Sequence, residues 1–240
     1  MAFLGLHRSK NVSRMTNTCY FCDEDPCSRE HVPPRCLFPE IKDLRDGKNQ
    51  RKNLVSVPSC HAHNSAKSSD DEFLMWILAV IAQGNDLKDQ HMLSKCMRAF
   101  ERSPNRFIDI MSNLSPSLLG YSAEGLVKTA TFEVDLDRFI HCMSRIAAGL
   151  YYHHYGKRWR GTYLVFTDAF FEMKNSRAAE INQTIFESNK RIVEAFCVLP
   201  YLGSNPSIFR YKYYSVNEGK HAVLMEFYEA INVSVALIDA

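Results

Sequence analysis

The chain has 240 residues, of which 46% are apolar and 23% charged, with a formal net charge of +2. That composition excludes a disordered chain, and the near-neutral balance excludes a protein whose whole surface grips polyanions. No apolar run reaches the roughly 18–20 residues of a bilayer span, Phe73–Ala82 being the longest candidate, and the N-terminal patch Ala2–Leu6 lacks the pattern of an export signal, so a cytoplasmic protein without membrane partners is expected.

The eight cysteines are distributed unevenly: five (Cys19, Cys22, Cys27, Cys36, Cys60) lie in the first 60 residues, and Cys96, Cys142 and Cys197 are scattered singly in apolar company. With no export signal to license disulfides, this asymmetry points to a metal site at one end and ordinary thiols elsewhere. Residues 15–68 are rich in Cys, His, Pro and charge and carry little hydrophobic periodicity. Such a segment needs a metal to hold it together. Cys19-Tyr-Phe-Cys22 followed far down the chain by Cys60-His-Ala-His63 supplies four soft ligands suited to tetrahedral zinc. Cys27 and Cys36 stand as rivals for one thiolate position, and His61 competes with His63. Arg51, Lys52 and Lys67 lie close by in sequence and are candidate phosphate contacts.

Residues 69–155 read as helical. Ser69 with Glu72 three residues on matches a capping box ahead of an apolar stretch that ends at Gly84-Asn85. Leu87–Arg102 keeps helical spacing, and Phe107–Leu114 adds a short helix before a Ser-Pro-Ser stop. Leu136–Tyr155 puts Phe139, Met143, Ile146 and Leu150 on one stripe, with Gly156 as the C-cap. His153 and His154, among Tyr151, Tyr152 and Tyr155, are read as packing residues. Beyond them Thr162–Phe166 reads as a buried strand and Arg177–Phe196 as an amphipathic helix. Ser207–Val216, His221–Ala230 and Asn232–Ile238 read as antiparallel strands, the first two joined at Asn217-Glu-Gly-Lys220. The fold class is therefore α+β, divided at residue 72 into a zinc module (15–72) and a C-terminal region (73–240), helical to about 155 and then mixed.

Between the two knuckles stand Glu30-His31-Val-Pro-Pro and Asn53-Leu-Val, and Asn64 follows the second knuckle. In this order the segment 17–72 resembles the HNH endonucleases, the ββα-metal nucleases, in their zinc-knuckle form. The resemblance implies a hairpin with the histidine on its first strand and a helix after it. It implies His31 as general base, Asn53 as the residue that braces the loop and orients His31, and Glu30 with Asn64 as ligands of a catalytic Mg²⁺ or Mn²⁺. A neutral imidazole with a pKa near 6.5 takes a proton from water at working pH, and a hard cation offsets charge at the phosphate. The substrate implied is nucleic acid, DNA in preference to RNA. The alternative is a zinc-dependent nucleic-acid-binding or scaffolding protein that does not cut. Arg145–Gly156 is also similar to a stretch found after HNH modules in some bacterial proteins. The large C-terminal region leaves room for a regulatory partner or for self-association.

Overall fold

The computed structural model describes residues 18–64, 68–81, 94, 98, 101, 114–122 and 125–239. Strand β1 (Ser28–Val32) pairs antiparallel with β2 (Val55–Ser59), Glu30 opposite Val57 and His31 opposite Ser56. Their long connection carries two single-turn 3-10 segments, Arg35–Leu37 and Ile41–Asp43. Helix α1 (Ser68–Ile81) follows and buries Leu74 to Leu78. Ser69 therefore sits inside the first turn, not at the cap, and Asp70 and Asp71 occupy the turn where the helix dipole favours acids. The expected end at Gly84-Asn85 lies outside the described residues. Ser94, Arg98 and Glu101 are helical, and Arg98 pairs with Asp43 at 2.7 Å.

The reading of 69–155 as helical fails at 114–132. Leu114–Ser122 (β3) and Gly125–Phe132 (β4) form a two-stranded antiparallel sheet, so the short helix expected over Phe107–Leu114 does not extend to Leu114. Pro116, Gly120 and Gly125 interrupt a helix there, and Val127, Thr129 and Thr131 are β-branched residues that fit a strand. Helix α2 (Leu136–Tyr155) matches its expected bounds: Asp135 caps it by accepting from the Arg138 N–H, and Gly156 closes it in the left-handed conformation. Nearly every residue from Phe139 to Tyr152 is buried, as befits a helix covered on all sides.

Strand β5 (Thr162–Thr167), helix α3 (Ala178–Ala195) and strands β6 (Leu202–Asn205), β7 (Phe209–Asn217), β8 (Lys220–Phe227) and β9 (Ile231–Ile238) complete the chain. They build a five-stranded antiparallel sheet in the order β5-β9-β8-β7-β6. Alternate residues Val223, Met225, Phe227, Val233, Val235 and Leu237 form one fully covered face. Two expectations are corrected. Strand β5 is an edge strand with Leu164 and Phe166 exposed, not a buried one, and β6 was not anticipated because Leu-Gly-Ser-Asn, with one apolar residue in four, carries no strand pattern. One hydrophobic cluster takes in Val32 and Val57 of the hairpin, Ile146 and Leu150 of α2, and Val235 of the sheet. Tyr228, in the β8–β9 turn at φ 53°, donates its hydroxyl to the Leu37 carbonyl at 2.9 Å and ties the sheet to the N-terminal segment. No helix among the described residues is long and apolar enough to cross a membrane.

Candidate metal centre and the cavity beside it

The two knuckles meet because β1 and β2 pair. The Tyr20 N–H donates to the Pro58 carbonyl and the Cys27 N–H to the Ser59 carbonyl, which lays the first knuckle along the end of β2 where the second begins. Ligand atoms of Cys19, Cys22, Cys60 and His63 consequently all lie within 4.8 Å of one another. The Cys22 and Cys60 sulfurs are 3.6 Å apart, and His63 Nδ1 stands 3.6 Å from Cys19 Sγ and 3.1 Å from Cys60 Sγ. Ligand bonds of about 2.3 Å to sulfur and 2.0–2.1 Å to nitrogen imply tetrahedral edges of about 3.6–3.8 Å, so the donor set fits zinc.

The chemistry of the four groups agrees. Burial, helped by the neighbouring Cys60 and Cys19 thiols, pushes Cys22 up to about 12, since thiolates this close repel unless a cation sits among them. Burial, then the positive charge of Arg145, holds His63 below its ordinary value, in the neutral form that ligates metal. The rivals fall away. Cys27 is exposed with its sulfur 3.9 Å from Ser28 Oγ, Cys36 gives its thiol to the Asp71 carbonyl, and His61 is exposed outside the cluster.

Two charged anchors hold this centre against the rest of the chain. Asp23, in the first knuckle, pairs with Arg158 at 3.0 Å and Arg160 at 2.5 Å just beyond α2. Arg145, buried in the middle of α2, donates from Nη2 to the His63 carbonyl at 2.8 Å and from Nε to Tyr20 Oη at 3.4 Å, and approaches Asp70 at 3.8 Å. Asp70 also accepts from Arg138 at 2.8 Å. Arg145 escaped sequence reading as a site residue. Its one signal is a lone charge in the otherwise apolar stripe around Met143 and Ile146.

Beside the centre lies a cavity of about 20 Å³, bordered by Glu30, His31, Asp70, Asp71 and Arg145. That volume admits about one water. Burial lowers the His31 pKa, against a hydrogen bond to the Val55 backbone that raises it, while Arg35 and Arg29 reinforce the lowering. Nδ1 of His31 is buried without a hydrogen-bond partner among the described residues. Glu30 is 5% exposed and points to the core side of β1, while His31 and Arg29 alternate to the other side.

The remaining candidates are more dispersed. Asn64 Nδ2 donates to Ser28 Oγ at 2.7 Å and to the Arg29 carbonyl at 3.3 Å, and it is not among the described residues lining the Glu30 cavity. Asn53 stands at φ 56°, the left-handed turn position that asparagine tolerates, and lines a different groove. Arg51 is spent on the Phe38 carbonyl (2.9 Å) and on Glu40 (3.1 Å). Lys52 is exposed, and Lys67 lies outside the described residues. No protein-family model, curated protein or solved structure matches the chain.

Proposed function

We propose that the chain is an HNH-type endonuclease that hydrolyses phosphodiester bonds of nucleic acid, with His31 as general base beside a structural zinc. One observation carries this reading: Glu30 and His31 stand together on β1 of a β-β-α unit whose ends meet at a Cys3His cluster, and His31 keeps one buried ring nitrogen unpartnered. A general base needs a ring nitrogen free to take a proton. The DNA-before-RNA preference rests on the resemblance alone.

The divalent ion of this reading, Mg²⁺ or Mn²⁺, does not require a crowded donor set, since one or two carboxylates with substrate phosphate suffice. Glu30 would be its carboxylate, with Asp71 as an alternative second carboxylate at the same cavity; Asn64, held on Ser28 and the Arg29 carbonyl, does not line that cavity and would have to turn toward it to serve as the amide ligand. Such an ion supplies charge neutralisation at the scissile phosphate. His31 accepts the proton of the attacking water, and the pairing of His31 with Ser56 holds its backbone in place.

A second reading, a zinc module that binds nucleic acid or scaffolds without cutting, draws on Arg145 and Asp70, which crowd the cavity so that it admits no phosphate. One assay separates the two. Wild type and His31→Ala are incubated with supercoiled plasmid, single-stranded DNA and RNA, with Mg²⁺ or Mn²⁺, while bound zinc is measured. Loss of a general base is expected to lower the cleavage rate about 10²–10⁴-fold with zinc retained. Equal cleavage by the two proteins removes His31 as the base, and zinc-loaded wild type that never cuts favours the binding module.

A further inference from the structure

On the outer side of β1, away from Glu30, a groove of about 580 Å³ runs between the hairpin, the C-terminal end of α2 and the edge strand β6. Its size is that of pockets enclosing a ligand of nucleotide dimensions, in the range of about 300–1,000 Å³. No carboxylate is among the described residues that line it, although Asp and Glu number 27 in the chain. The lining charge is Arg29, flanked by His153 and His154. Arg29 is exposed and has no acidic partner among the described residues. Its Nε and Nη2 donate to Ser56, at 3.1 Å and 2.6 Å, which fixes the guanidinium without neutralising it.

The far wall is built with the same bias. Leu202 pairs with Tyr211 and Asn205 with Phe209, so Gly203 and Ser204 bulge out opposite the single residue Arg210. Gly203 stands at φ 121°, and a Cβ there would come 3.0 Å from the Phe209 carbonyl, so the bulge is available to glycine alone. Bulges of this kind re-aim an edge strand beside a site. Asn205 donates to the Lys52 carbonyl at 3.1 Å, fastening this wall to the turn that carries Asn53. His154, held by Tyr211 Oη at 3.2 Å, is pushed by burial down to about 4 and so offers a hydrogen bond, not a charge, at neutral pH. His31, two residues along β1 from Arg29, borders the Glu30 cavity and is not among the described residues lining this groove.

We propose that this groove binds the sugar–phosphate backbone of a single nucleic-acid strand, with one phosphate on Arg29. The inference rests on the nuclease reading for its substrate class. The groove accommodates a nucleotide or two of single strand and excludes a duplex, so duplex substrate must be locally opened.

The test measures binding of fluorescein-labelled oligothymidylate to the full chain by anisotropy, across salt concentrations and without added Mg²⁺ or Mn²⁺. Ser204 is exposed on an edge strand far from the zinc ligands, so Ser204→Asp and Ser204→Lys leave the fold intact, which bound zinc and melting temperature verify. Ser204→Asp is expected to weaken binding about tenfold and Ser204→Lys to tighten it, while Arg29→Gln lowers the salt slope by about one. Equal affinity of wild type and Ser204→Asp overturns the groove, as does tighter binding of duplex than of single strand. Competition by thymidine monophosphate at matched nucleotide concentration replaces the strand with a small phosphate ester and also overturns it. The nuclease reading fails separately: weakened binding by Ser204→Asp in a protein that never cuts leaves the groove standing and removes the catalysis. Cleavage dependent on His31 with Ser204→Asp binding as wild type does the reverse.

Discussion

Replacing Arg145 by methionine tests whether α2 holds the metal centre in place. The guanidinium is 7% exposed, donates to the His63 carbonyl at 2.8 Å and to Tyr20 Oη at 3.4 Å, and faces Asp70 at 3.8 Å. Methionine fills similar volume, so the loss is mainly electrostatic. Breaking a buried pair costs about 3–5 kcal/mol when a charge is stranded. Here Asp70 keeps Arg138 at 2.8 Å and its side chain is 26% exposed, so no charge is stranded, and the loss is that of the charge-assisted hydrogen bond to the His63 carbonyl, up to about 3 kcal/mol. For a chain of this size that is a fall of about 6–12 °C in melting temperature. Lysine keeps the charge but reaches only one of the partners, so Arg145→Lys is expected to lose about half as much. Urea or thermal unfolding at saturating zinc reads the stability. Transfer of zinc to a chromophoric chelator reads the metal, and is expected to be faster in both variants because the His63 carbonyl is released. Arg145→Met within about 1 kcal/mol of wild type, or Arg145→Lys indistinguishable from it, refutes the anchoring argument.

Cys60→Ser is expected to lose bound zinc and the N-terminal module's protection from protease, while Cys27→Ser keeps full zinc; equal stoichiometry in the two would contradict the ligand set. Tyr228→Phe leaves the fully buried Leu37 carbonyl without its hydroxyl donor and is expected to cost about 1–3 kcal/mol, read by denaturant midpoint at unchanged slope. His154 titrates near 4 in the folded protein and near its ordinary 6.5 when unfolded. Between those values the unfolded chain binds the extra proton, so His154 lowers stability as pH falls from about 6.5 toward 4. His154→Gln is expected to flatten that part of the melting-temperature profile, and a profile identical to wild type refutes the shift.

The metal cluster was legible because each half is a local motif: two ligands three residues apart meet wherever the chain brings the halves together, and thiolate and imidazole are donors that suit zinc. Helix α2 was legible for a similar reason, since its caps, Asp135 and Gly156, lie beside its own apolar stripe. What escaped depends on distant partners. Assigning Arg145 required α2 to be packed against the second knuckle, a contact between residues 82 positions apart. Arg51 looked like a phosphate contact until Glu40 and the Phe38 carbonyl claimed it. The β3–β4 hairpin has a mixed composition with four leucines, so only Pro116, Gly120, Gly125 and the alternating Val127, Thr129 and Thr131 set it apart from its helical flanks.

Arg145, Gly149 and His153 recur at every fourth position of α2, so they fall on one stripe of that helix. Along it the helix meets in turn the His63 carbonyl, Val32 of β1 and the groove beside Arg29. The middle contact governs the others. A Cβ on Gly149 would stand 2.5 Å from Val32 Cγ2 and 3.0 Å from Cγ1, and the branched valine cannot swing clear without turning β1. Helix propensity alone favours Gly149→Ala by about 1 kcal/mol, whereas overpacking costs about 1–3 kcal/mol. The sign therefore decides between an isolated helix and a helix wedged on β1. We expect net destabilisation, and because Val32 adjoins His31, a larger loss in cleavage rate than in bound zinc. A more stable Gly149→Ala protein with wild-type cleavage would mean that α2 does not set the position of β1, and the coupling between metal centre, His31 and groove would lose its physical basis.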